Sequence, residues 1–441
     1  MNETPRQSLP DVALAAILRP GPVAGLAATN MAVQATALVA GVIAARVLGV
    51  AGRGDLAAVI LWPMLAGNVA TLGVDAALGV QVGRDHSALG RLIRVGVLHA
   101  LLVGPVFMLV GLVLARVSLP VGRDDLRALS AAFLWIVPLH LLWLDFLALD
   151  NGQQRYVRYN LTRFAFFALY ALGYAGCWLL DAVRIEYFIY AQTGAMLGTV
   201  AVRLIQSGPM VWKGGPVGTM LRRTVGMAKG FALSNAAIML LVRIDVILVM
   251  VLLGTRALGL YVVAQAVANV PSLLSQAFAV RTFGSSVGAS DEAAFVRTVV
   301  VRFRQSFVLS GVFALALALV APLIIRVLFG APFEEAATVA RVLFFASWLF
   351  NGGRIIDEGF RGRGRPIFGT IAFGCQIVCV CLVGFLLGSR LGWGATGVAI
   401  SVLMGSALAL SILVVMFRSQ TGRWVFAAER GEKPGREANA R

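Results

Sequence analysis

The sequence predicts an all-α integral membrane protein, with twelve transmembrane helices arranged as two six-helix halves. Three observations lead there. Apolar segments of spanning length recur along the whole chain, the connections between them alternate in charge, and the second half repeats the first. Of the 441 residues, 59% are hydrophobic and 13% charged, and mean hydropathy is +0.85. A soluble domain carries about 25% charged residues, so lipid rather than water has to solvate most of this surface.

Apolar runs long enough to cross a ~30 Å hydrocarbon layer place the spans in order. Spans 1 and 2 fall near 22–46 and 55–82, separated by Leu48-Gly49 and Gly54. Span 3 (92–116) lies between "GRDHSALGR" and "VGRDD", and span 4 (126–150) runs from there to "NGQQRYVRYN". Spans 5 (161–180) and 6 (186–206) are split by "DAVRIE". A Gly- and Pro-containing basic stretch, "KGGPVGTMLRR", leads into spans 7 (229–253) and 8 (257–283). Span 9 (305–329) follows "VRTVVVRFR", span 10 (336–360) follows "APFEEA", span 11 (366–388) follows "RGRGRP", and span 12 (393–417) opens on "GWGATG". The start, "MNETPRQSLPDVALAAILRPG", shows no A-x-A-like cleavage site, so the spans themselves are expected to supply targeting.

Net charge is +17, and the basic side chains fix the expected orientation. One set of connections, with both tails, holds most of the 38 Lys and Arg, while the other set carries balancing Asp or Glu. The positive-inside rule puts both termini in the cytoplasm, and the excess of Arg over Lys with abundant Ala and Gly points to a GC-rich bacterial genome and so to a bacterial cytoplasmic membrane. Basicity here reflects topology, and no nucleic-acid partner is expected. The external loops are short, which leaves no room for the catalytic groups of a sugar-joining enzyme.

Shifting the sequence by 205 positions matches Gly25, Ala27, Asn30, Ala32, Leu48, Gly49 and Gly54 with Gly230, Ala232, Asn235, Ala237, Leu253, Gly254 and Gly259. A shift of 210 matches Gly152 with Gly362 and Arg155 with Arg365. Six spans per copy is an even number, so both copies share one orientation and the pseudo-twofold axis runs along the membrane normal. Parallel repeats of this kind place a substrate path between the halves. The expected division is an N-terminal lobe 1–206, a cytoplasmic linker 207–228, a C-terminal lobe 229–417 and a basic tail 418–441.

Span 7 departs from its repeat. Arg243 aligns with Leu38 and Asp245 with Ala40, so the first copy builds the same helix without charge. A charge at membrane depth costs ~2.5–3.5 kcal/mol even on insertion scales, which makes function the better reason for both. Residues two apart point ~200° apart on an intact helix. The two charges would then flank Asn235 and need separate partners. Further candidates for the cavity side are Asn30 and Gln34 on span 1, Asn68 and Asp75 on span 2, and Gln265, Asn269 and Gln276 on span 8. The last three lie four and seven apart, on one stripe, though amides also join helices in lipid. Asp245 and Asp75 are the carboxylates placed for coupling to H+ or Na+. No other cofactor and no metal site is expected.

Other polar groups have plainer readings. Arg354, Asp357 and Glu358 are spaced for a local ion cluster. His140 and Asp145 in span 4 are spaced for a proton relay, with a satisfied core histidine as the simpler reading. Cys177, Cys375, Cys379 and Cys381 lie in apolar spans and read as small buried hydrophobes. "GWGATG" fits G-x-G-x-x-G but follows no strand, and no G-x-x-x-x-G-K-[ST] exists, so no nucleotide site is expected.

"RVLGVAGRGDLAAVILWP" after span 1, "VRIDVILVMVLLGTRALGLYVVAQAVANVP" across spans 7 and 8, and "GFRGRGRP" after span 10 resemble the multidrug/oligosaccharidyl-lipid/polysaccharide (MOP) exporter superfamily. The similarity is nearest to its polysaccharide transporter branch, the Wzx-type O-antigen flippases, and covers roughly 20–417. It implies two six-helix lobes in a V around a central cavity lined by spans 1, 2, 7 and 8. It also implies a function: carrying polyprenyl-pyrophosphate-linked oligosaccharide from the cytoplasmic to the outer leaflet by alternating access, for surface polysaccharide such as lipopolysaccharide. The implied partners are the lipid-linked oligosaccharide, membrane lipids, and the polymerase and glycosyltransferases of the same pathway. Arg243 sits where a headgroup-binding cation is expected. Two other readings stand beside this one: a cation-coupled drug exporter using Asp245 or Asp75, and a membrane-embedded glycosyltransferase or polymerase. The short loops and the lack of paired carboxylates weigh against the latter.

Overall fold

The computed structural model describes residues 22–120, 122–211, 216–272 and 291–426, with isolated positions between 275 and 286. Among these residues the regular structure is entirely helical. The helices are α1 (Pro22–Val69), α2 (Val74–Arg84), α3 (Leu89–Ser118), α4 (Asp124–Phe133), α5 (Ile136–Gly152), α6 (Tyr156–Leu179) and α7 (Ile185–Val211) in the first half. The second half holds α8 (Gly218–Leu241), α9 (Ile244–Ala268), α10 (Glu292–Phe329), α11 (Ala336–Gly362), α12 (Ile367–Phe385) and α13 (Gly394–Thr421). Nine helical stretches among the described residues are long and apolar enough to cross a membrane. The chain is therefore a multi-pass membrane protein. Two expected spans fall on helices with charged starts: α6 carries Arg158 and Arg163, and α8 carries Arg222, Arg223 and Lys229. Helices α7 and α8 extend into the stretch expected as a linker.

Backbone geometry reproduces the repeat. Gly49 kinks α1 at φ 67, ψ −174, and its mate Gly254 kinks α9 at φ 82, ψ −176. This conformation is open only to glycine at little cost, which explains why Leu-Gly marks the fold between spans 1 and 2 and again between 7 and 8. The 210 register repeats as well. Gln154 (φ 59) and Gly364 (φ 71) both take left-handed backbone. The Arg155 and Arg365 amides donate to Asp150 and Phe360 carbonyls, each at 2.9 Å, five residues back. Both turns are Schellman-type helix ends. Their side chains differ: both Asp150 carboxylate oxygens accept from Arg203 Nη2, at 2.8 and 2.7 Å, while Phe360 packs on Phe368.

The two halves meet through those repeat positions. A Cβ on Gly54 would lie 1.7 Å from the Thr255 carbonyl oxygen, and one on Gly259 would lie 2.2 Å from that of Val50. Since Thr255 is the repeat mate of Val50, the contact is reciprocal, as across a twofold axis. Beside it, Arg46 at the end of span 1 donates from Nε to the Leu328 carbonyl (2.7 Å) and from its Nη2 to Val327, at the C-terminus of α10. A cation there meets the negative end of the helix dipole.

At the opposite end, span 2 is broken between α1 and α2. Leu72 (φ 46) and Gly73 (φ 78) turn the chain, and a Cβ on Gly73 would lie 2.6 Å from Phe231 Cβ on α8. The break frees the Ala70 carbonyl, which lies 3.1 Å from His99 Nε2, and the other ring nitrogen lies 3.0 Å from Asp145. Histidine and carboxylate thus satisfy a helix end that lipid could not. Gln81 on α2 donates to Thr224 on α8 at 2.8 Å, so the first turns of α8 rest on the first half.

Candidate functional site: a polar cavity at a broken helix

Span 7 is not one helix. It ends as α8 at Leu241, turns through Val242 and Arg243, and resumes as α9 at Ile244. The expectation of an intact helix with the two charges on opposite faces is corrected here. The sequence "LLVRID" holds no helix breaker, so the cause is tertiary. Helix α8 packs chiefly on α2 of the first half, whereas α9 is wedged between α1 of the first half and α11 and α13 of the second. The connecting residues take up the change of direction, with Arg243 at φ −124, ψ −5 as the residue before α9.

Arg243 is exposed, and Asp245 is only 6% exposed, in the first turn of α9. Its Oδ1 accepts the Val246 backbone N–H at 2.8 Å. Its Oδ2 accepts Tyr261 O–H at 2.8 Å and Gln265 Nε2–H at 3.0 Å. The helix N-terminus adds favourable dipole, so neutral donors hold the buried carboxylate and supply the separate partner it needs. Sequence reasoning missed Tyr261. The signal was present, because Gly254 folds the chain between 245 and 261 and brings the two flanks together. In the first copy the mates of Asp245 and Tyr261 are Ala40 and Leu56, each 1% exposed. A polar pair has replaced an apolar one in otherwise equivalent packing.

A cavity of about 210 Å³ opens at this break, inside the second half. It gathers four expected residues, Arg243, Asp245, Gln265 and Asn269, and adds Ser347 and Phe350 from α11, Gln376 from α12 and Ser406 from α13. Gln376 is 4% exposed and donates to Ser406 Oγ at 3.2 Å. Its Oε1 is buried with no hydrogen-bond partner. A lone polar residue on the apolar α12 gave no pattern to read in sequence, so Gln376 was missed too.

The first-half candidates lie elsewhere. Asn30 accepts from Arg163 Nη1 at 2.8 Å, joining α1 to α6. Asn68 donates to Met64 O of its own helix at 2.7 Å, and Gln34 is exposed. Asp75 is half-buried at the start of α2, one oxygen buried and without a hydrogen bond. The Asn235 side chain and Gln276 lie outside the described residues. Neither reading of His140 holds among the described residues: the His140–Asp145 relay is not formed, and the histidine is not a satisfied one. Asp145 pairs with His99, while His140 packs on Gly67 and Trp143 with neither ring nitrogen bonded. Glu358 pairs with Arg354 (3.1 Å) and Arg361 (3.2 Å), and Asp357 instead packs on Gly369. Cys177 is buried as expected, but Cys375 is exposed, because α12 turns an apolar face to lipid. Among the described residues no three or more His, Cys, Asp or Glu gather as a metal site.

Comparison with known proteins bears on this arrangement. Residues 199–338, which include the broken span 7, match the family described as "Polysaccharide biosynthesis protein". A search of curated proteins finds no match by sequence. Solved structures similar in fold include the lipid II flippase MurJ in its inward closed conformation, with TM-score 0.72 and 12% identity, covering 88% of this chain and 86% of that one. An inward-facing multidrug resistance MATE family transporter gives TM-score 0.70 at 14% identity, covering 88% and 94%. A MOP superfamily transporter from Pyrococcus furiosus gives 0.65 at 13%, covering 92% and 98%. The chain has the two-lobed fold of MOP superfamily transporters.

Proposed function

We propose that this protein is a flippase for polyprenyl-pyrophosphate-linked oligosaccharide, moving it from the cytoplasmic to the outer leaflet for surface polysaccharide synthesis. The observation that carries the reading is Arg243. It is a cation at a break in a membrane helix, on the rim of a polar cavity, where the repeat copy has leucine. The planar guanidinium makes two-point contacts with phosphate oxygens, and the amides beside it suit sugar hydroxyls. The lipid tail stays in the bilayer while the halves exchange contacts at their two ends. The polysaccharide family match and the likeness to a lipid II flippase support this reading. The polymerase and glycosyltransferases that use and make such a lipid are the proposed partners. A cation-coupled drug exporter is the second reading, favoured by the likeness to MATE transporters.

Arg243→Gln is expected to abolish glycan export at near-normal protein levels, and Arg243→Lys to keep part of it, since the charge remains and the fork is lost. Normal export by the Gln variant would remove the phosphate role. The proposed orientation has its own check. Cysteines placed near Arg123 and Glu334 should label from outside intact cells, and those near Arg158 and Arg363 only after permeabilisation. Labelling in the reverse pattern would invert the assignment of entry and exit leaflets.

A further inference from the structure

We propose that the cavity inside the second half is a subsite for a single sugar ring, the one attached directly to the pyrophosphate, and that Gln376 and Ser406 select it. This rests on the flippase reading and goes beyond it by assigning which part of the substrate enters which place.

The fold does not require a polar cavity here. The repeat mates of Asp245, Tyr261, Gln265 and Asn269 are Ala40, Leu56, Ile60 and Met64, all apolar. Polar groups within a membrane bundle are costly, so the four substitutions point to an occupant. Its chemistry follows from the lining. A bare cation fits poorly, because the Arg243 guanidinium shares the cavity and both Asp245 oxygens already accept protein donors. A large apolar compound fits poorly as well. The space of about 210 Å³ falls below the ~300–1,000 Å³ that encloses drug-sized ligands. The decisive group is Gln376, which lines the cavity and holds Oε1 buried without a donor among the described residues, a state that costs free energy until the terminal amide turns toward the cavity and meets one. A hydroxyl supplies one. It donates to Oε1 and accepts from a neighbouring serine, Ser406 or Ser347, while Phe350 offers a flat apolar face to the C–H side of a ring. With phosphate at Arg243 on the rim, the group that reaches inside is the sugar next to it.

The experiment uses purified full-length protein in lipid nanodiscs and two sets of probes: polyprenyl pyrophosphate alone, and polyprenyl pyrophosphate bearing one glucose, galactose or N-acetylglucosamine. Wild type is expected to bind at least one sugar-bearing probe about tenfold tighter than the bare pyrophosphate. Gln376→Leu should erase that increment and leave bare pyrophosphate binding unchanged, while Arg243→Gln weakens both. Ser406→Ala, a smaller change, should reduce the increment and alter the order of preference among the sugars. Bare pyrophosphate binding with no sugar increment, or an increment that survives Gln376→Leu and Ser406→Ala, overturns the subsite and leaves the flippase reading standing. Failure of wild type to bind any probe overturns the flippase reading, and the subsite with it.

Discussion

Gly54→Val and Gly259→Val are each expected to abolish transport and to shift the protein away from the arrangement described here. In that arrangement each glycine lies against the backbone carbonyl of the other half, where a Cβ would come within 1.7 and 2.2 Å of oxygen. No side-chain rotation relieves such an overlap, because both partners are main chain. Even overpacking that side chains can share costs ~1–3 kcal/mol, so the halves have to separate at this end. Spin labels on Val50 and Thr255 would report it. The distance should lengthen in either variant, while Gly41→Ala, where nothing lies within 4 Å of the added carbon, should leave distance and transport unchanged. A valine at 54 that preserves both would show that the reciprocal contact is no part of the transport cycle.

The second large effect is expected at Asp245. Neutral donors hold its carboxylate, and no described arginine lies within ion-pair distance of it. Asp245→Asn therefore leaves no cation buried and unpaired. The amide keeps one acceptor and the change costs about one hydrogen bond, ~1 kcal/mol. If Asp245 couples transport to an ion, a proton fits best, since Oδ1 carries a single hydrogen bond and keeps one lone pair free, which is room for a proton and not for a coordination shell. Reconstituted wild type should then flip its lipid at a rate that depends on pH, and Asp245→Asn should flatten the dependence with melting temperature nearly unchanged. A pH dependence that persists in the Asn variant would remove Asp245 from coupling and leave Asp75 as the remaining candidate carboxylate.

Legibility in the sequence followed physical scale. Glycines with positive φ are dictated locally, so Leu-Gly-x4-Gly marked both kinks and the crossing between halves. Charge unsupported by the repeat marked Arg243 and Asp245. The break at Val242–Arg243 was not legible, because it arises from the different surroundings of α8, seated on α2, and α9, wedged between α1, α11 and α13, and not from any residue in the turn. The same holds for His99, whose partners lie 46 and 29 residues away across two other helices. Polarity alone does not separate amides that serve packing from those free for a ligand. Asn30 and Asn68 join helices or bond their own backbone, which is the ordinary use of amides in lipid.

A cavity at the broken span that serves a lipid-linked sugar phosphate, with Arg243 as its phosphate ligand, makes flipping itself depend on that side chain. Proteoliposomes loaded with a fluorescent polyprenyl-pyrophosphate oligosaccharide in both leaflets test it most directly, by the fraction an outside quencher or enzyme can reach over time. Wild-type protein is expected to make nearly all of the lipid accessible, Arg243→Gln to leave only the outer half accessible, and Arg243→Lys to fall between. Wild-type vesicles that remain half protected, while exporting a cationic drug, would contradict it.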